Sequence, residues 1–216
     1  MKKSYLVTGG NGFIGRSIVD MLLKEGNRVT IYDNISRHKY KKFKDIKNLT
    51  FIKGDICNYK NLEKSMIGID AVIHLAYING TSSFYKIPDR IIEVAVKGLV
   101  NIFDACLKKK IKELYLASSS EVYHFPSKIP TDEKTSLLIP DPTNPRFSYG
   151  AGKILTEIYG LSFAKHFKKL VIFRPHNVYG PDMRNDHVIP EIVNKLLHLK
   201  KRKLKIQGSG KETRSF

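Results

Sequence analysis

Cysteine is scarce. The 216-residue chain has two, Cys57 and Cys106, and they form no short-spacing motif. That argues against a disulfide framework and a cysteine-based zinc site, and makes a reducing cytoplasm the expected compartment. Long apolar runs are also missing. None reaches the ~18 residues of a membrane span, so a transmembrane protein is not expected. The apolar stretch before Gly9 is too short for a secretory signal. The seven histidines show no H-x-x-x-H or similar cluster, so no metal is expected. Acidic residues are the minority charge, 20 Asp+Glu against 38 Lys+Arg, for a formal net charge of +18.

A basic balance suits a polyanionic partner: nucleic acid, an anionic membrane or a phosphate-bearing substrate. Here the excess is mostly lysine, in short runs such as Lys108-Lys109-Lys110 and Lys200-Lys201-Arg202-Lys203. No interleaving of arginine with aromatics accompanies it. It is read as solvated surface with weak attraction for anions, and nucleic acid is not the expected partner. What remains is ordinary. Hydrophobic residues make up 42% and charged residues 27%, which excludes collagen-like, mucin-like and mostly disordered chains. The length allows one sizeable core plus a fragment.

The apolar pattern alternates between two periods. Short apolar runs at 4–8, 28–32, 49–53, 71–76, 114–117 and 170–173 read as strands. Between them, 13–25, 58–66, 89–109 and 149–167 read as helices. The proline-rich stretch 127–146 has no period and reads as a loop. A helix over 187–199 and a strand over 204–207 follow. Strands alternating with helices mean βαβ units, and hence an α/β fold with a doubly wound parallel sheet covered on both faces.

Thr8-Gly9-Gly10-Asn11-Gly12-Phe13-Ile14-Gly15 lies between the first strand and the first helix. Glycines let the backbone turn tightly and approach a ligand. The free N–H groups and dipole of the helix favour a pyrophosphate there. Gly15, one turn inside, lets helix and strand pack closely. The spacing is G-x-x-G-x-x-G, not the commoner G-x-G-x-x-G. Asp33 follows the second strand, about 20 residues on. A carboxylate there accepts hydrogen bonds from ribose hydroxyls and repels a 2′-phosphate, favouring NAD over NADP. Arg37 close by softens that preference. Asp55 follows the third strand and is a candidate for the adenine end.

Tyr149 and Lys153 are four apart on a helix and face the same way. A free tyrosine is a poor base at neutral pH. An adjacent ammonium and a cationic nicotinamide favour its phenolate. Lowering its pKa by roughly three units needs about 4 kcal/mol of differential stabilisation. Ser118-Ser119-Ser120-Glu121 follows the fifth strand, at the carboxyl edge where ligands gather in open parallel sheets.

Together these pieces resemble one family. Thr8 to Gly15, Asp33-Asn34, Gly54-Asp55-Ile56, His74-Leu75-Ala76, Ser118 to Tyr123, Tyr149-x-x-x-Lys153 and Arg174-Pro-His-Asn-Val-Tyr-Gly-Pro181 occur in order. The chain resembles the extended short-chain dehydrogenase/reductases of the NAD-dependent sugar-nucleotide epimerase/dehydratase group, over essentially its whole length. The resemblance implies a Rossmann domain over 1–175, and over 176–216 the start of an incomplete substrate-binding domain. Family members usually run beyond 300 residues, so the sugar pocket and the activity of this chain alone are in question.

It implies NAD held by Gly9, Gly12, Phe13, Ile14, Gly15, Asp33, Asn34, Asp55, Ile56, Leu75, Ala76, Tyr149 and Lys153. It implies Ser119, Tyr149, Lys153 and Glu121 as the catalytic set. Ser119, Ser120, Asn177 and Arg214 are the implied contacts to a nucleotide-diphosphate sugar. The expected activity is epimerisation through a transient 4-keto sugar. Ser119-Ser120-Glu121 also resembles the Thr-Ser-Glu of sugar-acid decarboxylases, and a dehydratase or a non-catalytic NAD-binding protein stays open. Homodimers in the family often form through helices corresponding to those starting at Asp89 and Tyr149. Two departures from the pattern stand out: His124 in place of a glycine, and Tyr77 in place of an alanine.

Overall fold

The computed structural model describes residues 2–36, 46–181, 183, 187–198, 204 and 209–210. Six strands, β1 (Ser4–Thr8), β2 (Arg28–Asp33), β3 (Leu49–Lys53), β4 (Ala71–His74), β5 (Glu113–Ala117) and β6 (Lys169–Phe173), form one sheet in the order β3-β2-β1-β4-β5-β6. Every neighbouring pair is parallel. This is the doubly wound Rossmann arrangement. The chain runs outward from β1 to β3, then returns to place β4 on the other side of β1. The carboxyl ends of β1 and β4 therefore flank the switch point, where the two halves of the sheet diverge and leave a crevice.

Alternate residues serve the two faces. Leu6, Tyr32, Val72, Leu114 and Leu116 join one buried cluster, while Val7, Val29, Ile31 and Ile73 join another. Both clusters exclude water, which is why the strands read as near-continuous apolar runs. The second face is covered by α1 (Phe13–Lys24), through Val19 and Leu22. The first takes α2 (Tyr59–Ser65) through Leu62, and the helical stretch 88–108. In that stretch, α4 (Pro88–Glu93) passes through a π turn, Val94–Gly98, into α5 (Leu99–Lys108). A Cβ on Gly98 would lie 2.5 Å from Ile56 Cδ1 and 2.9 Å from its Cγ1, so a side chain there would displace the buried Ile56. α5 ends in a Schellman closure, with Lys110 N–H donating to Leu107 O and Ile111 N–H to Cys106 O. That closure puts Lys110 at φ +56°.

Phe103 on α5 anchors the contact with α6 (Ser148–Phe163). It meets Tyr159, Phe163 and Phe167 edge-on at 4.8, 5.5 and 5.7 Å. α6 is shorter than the periodicity predicts, because a 3-10 turn, Ala164–His166, takes over its last turn. β4 likewise ends at His74 rather than at residue 76. A short helix that the periodicity does not single out, α3 (Thr81–Lys86), follows it.

By its contacts the chain divides into Met1–Pro175 and His176–Phe216. The second unit contains α7 (Val188–Leu197), with a Lys195–Glu191 ion pair of 2.6 Å one turn apart. The strand expected over 204–207 lies outside the described residues.

Candidate functional site

The glycine turn divides its work among three positions. Gly9 adopts φ +70°, and a Cβ on it would sit 2.8 Å from Ala76 N. Its N–H donates to Tyr32 O at 2.9 Å. Gly12 caps α1 with extended backbone and no side-chain cap, and no acidic residue occupies the first turn. The helix itself thus brings no acidic side chain to its positive N-terminus. A Cβ on Gly15 would run into Gly9 O and Gly10, so α1 packs directly on the turn. Phe13 and Ile14 begin the helix.

Asp33 closes the turn from β2. Its Oδ2 accepts from Asn11 N–H at 3.1 Å and its Oδ1 from Ile35 N–H at 2.8 Å. Thr8 ties β1 to β4, with its Oγ1 sharing a 2.8 Å hydrogen bond with His74 Nδ1 and accepting from Ala76 N–H at 3.3 Å. Leu75 N–H donates to Thr8 O. His74 is fully buried, and burial pushes its pKa down to about 3, so the ring is neutral.

The next loop holds Asp55 and Ile56. Asp55 accepts from Cys57 N–H at 2.9 Å and from Arg90 Nη2 at 2.5 Å. Burial alone would raise its carboxyl. The Cys57 N–H, Arg90 and the Asn34 side chain outweigh that and hold it below the ordinary value. Ile56 is buried, and its carbonyl accepts from Asn101 Nδ2. Arg90, on α4, had no signal in the sequence. Arg37 and Arg214 lie outside the described residues.

The carboxyl end of β5 carries the serines. Ser119 is buried and caps a 3-10 turn, Ser120–Val122, its Oγ accepting from Glu121 N–H at 3.2 Å. Ser120 N–H donates to Pro175 O. α6 brings Tyr149 and Lys153 to this edge, both buried. Lys153 Nζ donates to Ala117 O at 2.7 Å, two residues before Ser119. It also lies 4.0 Å from the Tyr77 ring centre and 5.7 Å from that of Tyr149. Burial pushes Lys153 down to about 7. Tyr149 meets Tyr77 edge-on at 5.2 Å and Phe84 at 5.7 Å.

Glu121 is held by Arg146, whose Nη2 donates to both carboxylate oxygens at 3.1 and 2.8 Å. The guanidinium lies 5.1 Å from the Phe84 ring centre. Arg146 Nη1 is buried without a hydrogen-bond partner among the described residues. His124 explains why a glycine suits its position, since φ is +45° there. Its ring packs on Phe147 at 4.9 Å and fills the space beside Gly150.

One buried network escaped the sequence reading. Glu157, on α6, accepts from Arg174 Nε at 2.8 Å and Nη2 at 2.5 Å, and from Ser118 Oγ. Burial would raise the Glu157 carboxyl, but Arg174 and Ser118 hold it below its ordinary value. Arg174 Nη1 also donates to Tyr123 Oη at 2.5 Å. The network clamps the ends of β5 and β6 to α6. The signal that could have found it is spacing: Glu157 stands four residues beyond Lys153, on the same face as the Tyr149–Lys153 pair. Asn177 belongs to the second unit. Among the described residues no group of three His, Cys, Asp or Glu could hold a metal, and no helix is long and apolar enough to cross a membrane.

Residues 5–216 match the model of the NAD dependent epimerase/dehydratase family. The UDP-N-acetyl-alpha-D-glucosaminuronate decarboxylase of Bacillus cytotoxicus is 34% identical over 220 residues, covering 100% of this chain and 67% of the relative. Among solved structures, the UDP-N-acetylglucosamine 4-epimerase from Methanobrevibacter ruminantium M1, in complex with UDP-N-acetylmuramic acid, superposes with a TM-score of 0.80 at 35% identity. That match covers 91% of this chain and 64% of the epimerase. The UDP-glucose 4-epimerase from Brucella ovis, in complex with NAD, superposes with a TM-score of 0.69 at 27% identity, covering 80% and 51%. Other relatives are dTDP-D-glucose 4,6-dehydratases. The chain thus spans between about half and two thirds of the length of these relatives.

Proposed function

Because the chain belongs to the NAD dependent epimerase/dehydratase family, we propose that it binds NAD and isomerises a nucleotide-diphosphate sugar at C4 through a transient 4-keto sugar. The observation that carries this reading is the pairing of Tyr149 with Lys153, both buried on one face of α6 at the carboxyl edge of the sheet. The glycine turn fits the cofactor. Gly9 and Gly15 leave space that a Cβ would fill, and the N-terminus of α1 offers N–H donors to a pyrophosphate.

In this reading Gly9, Gly12, Phe13, Ile14 and Gly15 hold the pyrophosphate. Asp33 and Asn34 hold the adenosine ribose, and Asp55 and Ile56 line the adenine end. Leu75 and Ala76 border the cleft from β4. Bound NAD would take up and return hydride. Tyr149, as phenolate, takes the proton of the C4 hydroxyl. Lys153 favours that phenolate by its charge, and Ser119 hydrogen-bonds the reacting oxygen. Asn177 and Arg214 are the proposed contacts to the diphosphate, and 176–216 belongs to a substrate-binding portion.

A uronate decarboxylase is the second reading, and Arg146 favours it. Its Nη1 is a buried donor without an acceptor among the described residues, on a guanidinium held by Glu121 and packed on Phe84. A substrate carboxylate would supply that acceptor. The two readings part on products. Incubation with NAD and a panel of UDP-hexoses and UDP-uronic acids, followed by proton NMR, gives the C4-epimeric UDP-sugar in the first and carbon dioxide with a UDP-pentose in the second. In either, Tyr149→Phe lowers turnover by about 10²- to 10⁴-fold while calorimetric NAD binding persists. Undiminished turnover in that variant refutes the base assignment.

The chain is further proposed to form a homodimer through α4 and α6. α4, the π turn after it and α6 leave Ile92, Val96, Ile158 and Leu161 exposed by 42 to 65%, apolar side chains that a second copy would cover. Light scattering should give twice the chain mass, falling to the monomer in Leu161→Glu. A reducing cytoplasm suits the free thiols of Cys57 and Cys106.

A further inference from the structure

Tyr77 occupies a place between the two members of the proton-transferring pair. It follows β4 by three residues, yet its ring touches α6. The Lys153 ammonium lies 4.0 Å from its centre, close enough for a cation–π contact. The Tyr149 ring meets it at 5.2 Å with an interplanar angle of 86°, the geometry in which the positive edge of one ring faces the negative face of the other. The hydroxyl tucks against Gly152, where any Cβ would collide with it, and has no hydrogen-bond partner among the described residues. Among the described residues, what holds this phenol is its ring.

The electrostatics point the same way. Lys153 is buried, and burial disfavours an ammonium. The titratable groups that face it are His74 from the end of β4, Tyr77, and, one turn to either side on its own helix, Tyr149 and Glu157, whose carboxylate is taken up by Arg174 and Ser118. His74 is neutral, and burial raises the Tyr77 hydroxyl, so neither brings an anion at neutral pH. What opposes the cost of burial is the Ala117 carbonyl and the two ring faces.

We propose that Tyr77 is a positioning residue: its ring face keeps the Lys153 ammonium charged in a dry site, its edge-on contact sets the Tyr149 phenol, and Gly152 is the notch that admits it. The proposal rests on the reading of Tyr149 and Lys153 as the proton-transferring pair. It concerns a property of the folded chain that does not require turnover.

The test is an NMR titration of the chain labelled with ¹³C at lysine Cε, with the Lys153 resonance assigned by its loss in Lys153→Met. Tyr77→Phe keeps the ring and removes the unpartnered hydroxyl, and its Lys153 pKa should stay within a few tenths of the wild-type value. Tyr77→Leu fills similar space without a π face, and its Lys153 pKa should fall by about 0.4 to 1.5 pH units, the range of a cation–π contact. Tyr77→Met serves the same purpose should the leucine variant not fold. An unmoved or raised Lys153 pKa in the aliphatic variant overturns the proposal, as does an equal fall in Tyr77→Phe. Adding NAD to the same samples separates the two claims. If NAD shifts the wild-type Lys153 signal but the leucine variant titrates normally, the Tyr77 assignment fails and the pair's role stands. If the variants behave as expected but NAD leaves Lys153 untouched, the cofactor reading fails instead.

Discussion

Lys153→Met should change the pH dependence of folding stability in a calculable way. Burial takes the Lys153 pKa from 10.5 to about 7. For a lysine the sign is unfavourable: between those values the unfolded chain binds the proton that the folded chain releases. The destabilisation is therefore complete below about pH 7 and fades as pH rises toward 10.5. At ~1.36 kcal/mol per unit, the penalty is about 4 kcal/mol at pH 7 and about 2 kcal/mol at pH 9. The absolute gain on removing the amine is smaller. The hydrogen bond to Ala117 O contributes roughly 1.5–3 kcal/mol and the contact with the Tyr77 ring roughly 0.5–2 kcal/mol, and both are lost with it. Those contributions act on the charged form, so the pH difference is an upper figure, but its sign is fixed. The stability of Lys153→Met relative to wild type, from urea titrations followed by circular dichroism, should fall by up to about 2 kcal/mol between pH 7 and pH 9. A difference flat with pH, or rising, would show that this amine is not held in a depressed state.

Other substitutions probe the frame around the site. Glu157→Ala takes the carboxylate from the half-buried Arg174, which keeps Tyr123 Oη and Glu133 O as partners, and should cost about 1–3 kcal/mol in denaturant titrations. The Glu157 carboxyl is held below 4.5, so the wild-type advantage should be complete above that pH and shrink as pH falls below it. Lys110→Gly should stabilise the chain by about 1 kcal/mol, read as a higher melting temperature, because Lys110 sits at φ +56° in the Schellman closure after α5. No gain there would mean that the lysine stem recovers the strain by packing.

Much of the fold was legible because the core faces of a parallel sheet write themselves as short apolar runs. Leu6 and Val7 are adjacent and both buried, on opposite faces, which only a doubly covered strand allows. The helix face carrying Tyr149 and Lys153 was legible from spacing alone. α3 was not, because Thr81–Lys86 is too short to show a period. Nor was the π turn, since Val94–Gly98 continues the helical pattern around it, and the close approach of Gly98 to Ile56 is a tertiary contact. Glu157 shows the limit from the other side. Its position on the face was readable, but the partner that makes it matter, Arg174, stands 17 residues away, just past the end of β6.

What the chain's order of residues determines by itself is local: turns that need glycine, periods of two and 3.6, and one tyrosine a helical turn from one lysine. What only tertiary structure decides is the surroundings of those groups, because burial and charge act through space. Sequence spacing places Lys153 beside Tyr149. Packing against Ala117, His74 and Tyr77 is what removes it from water and sets the state of its proton.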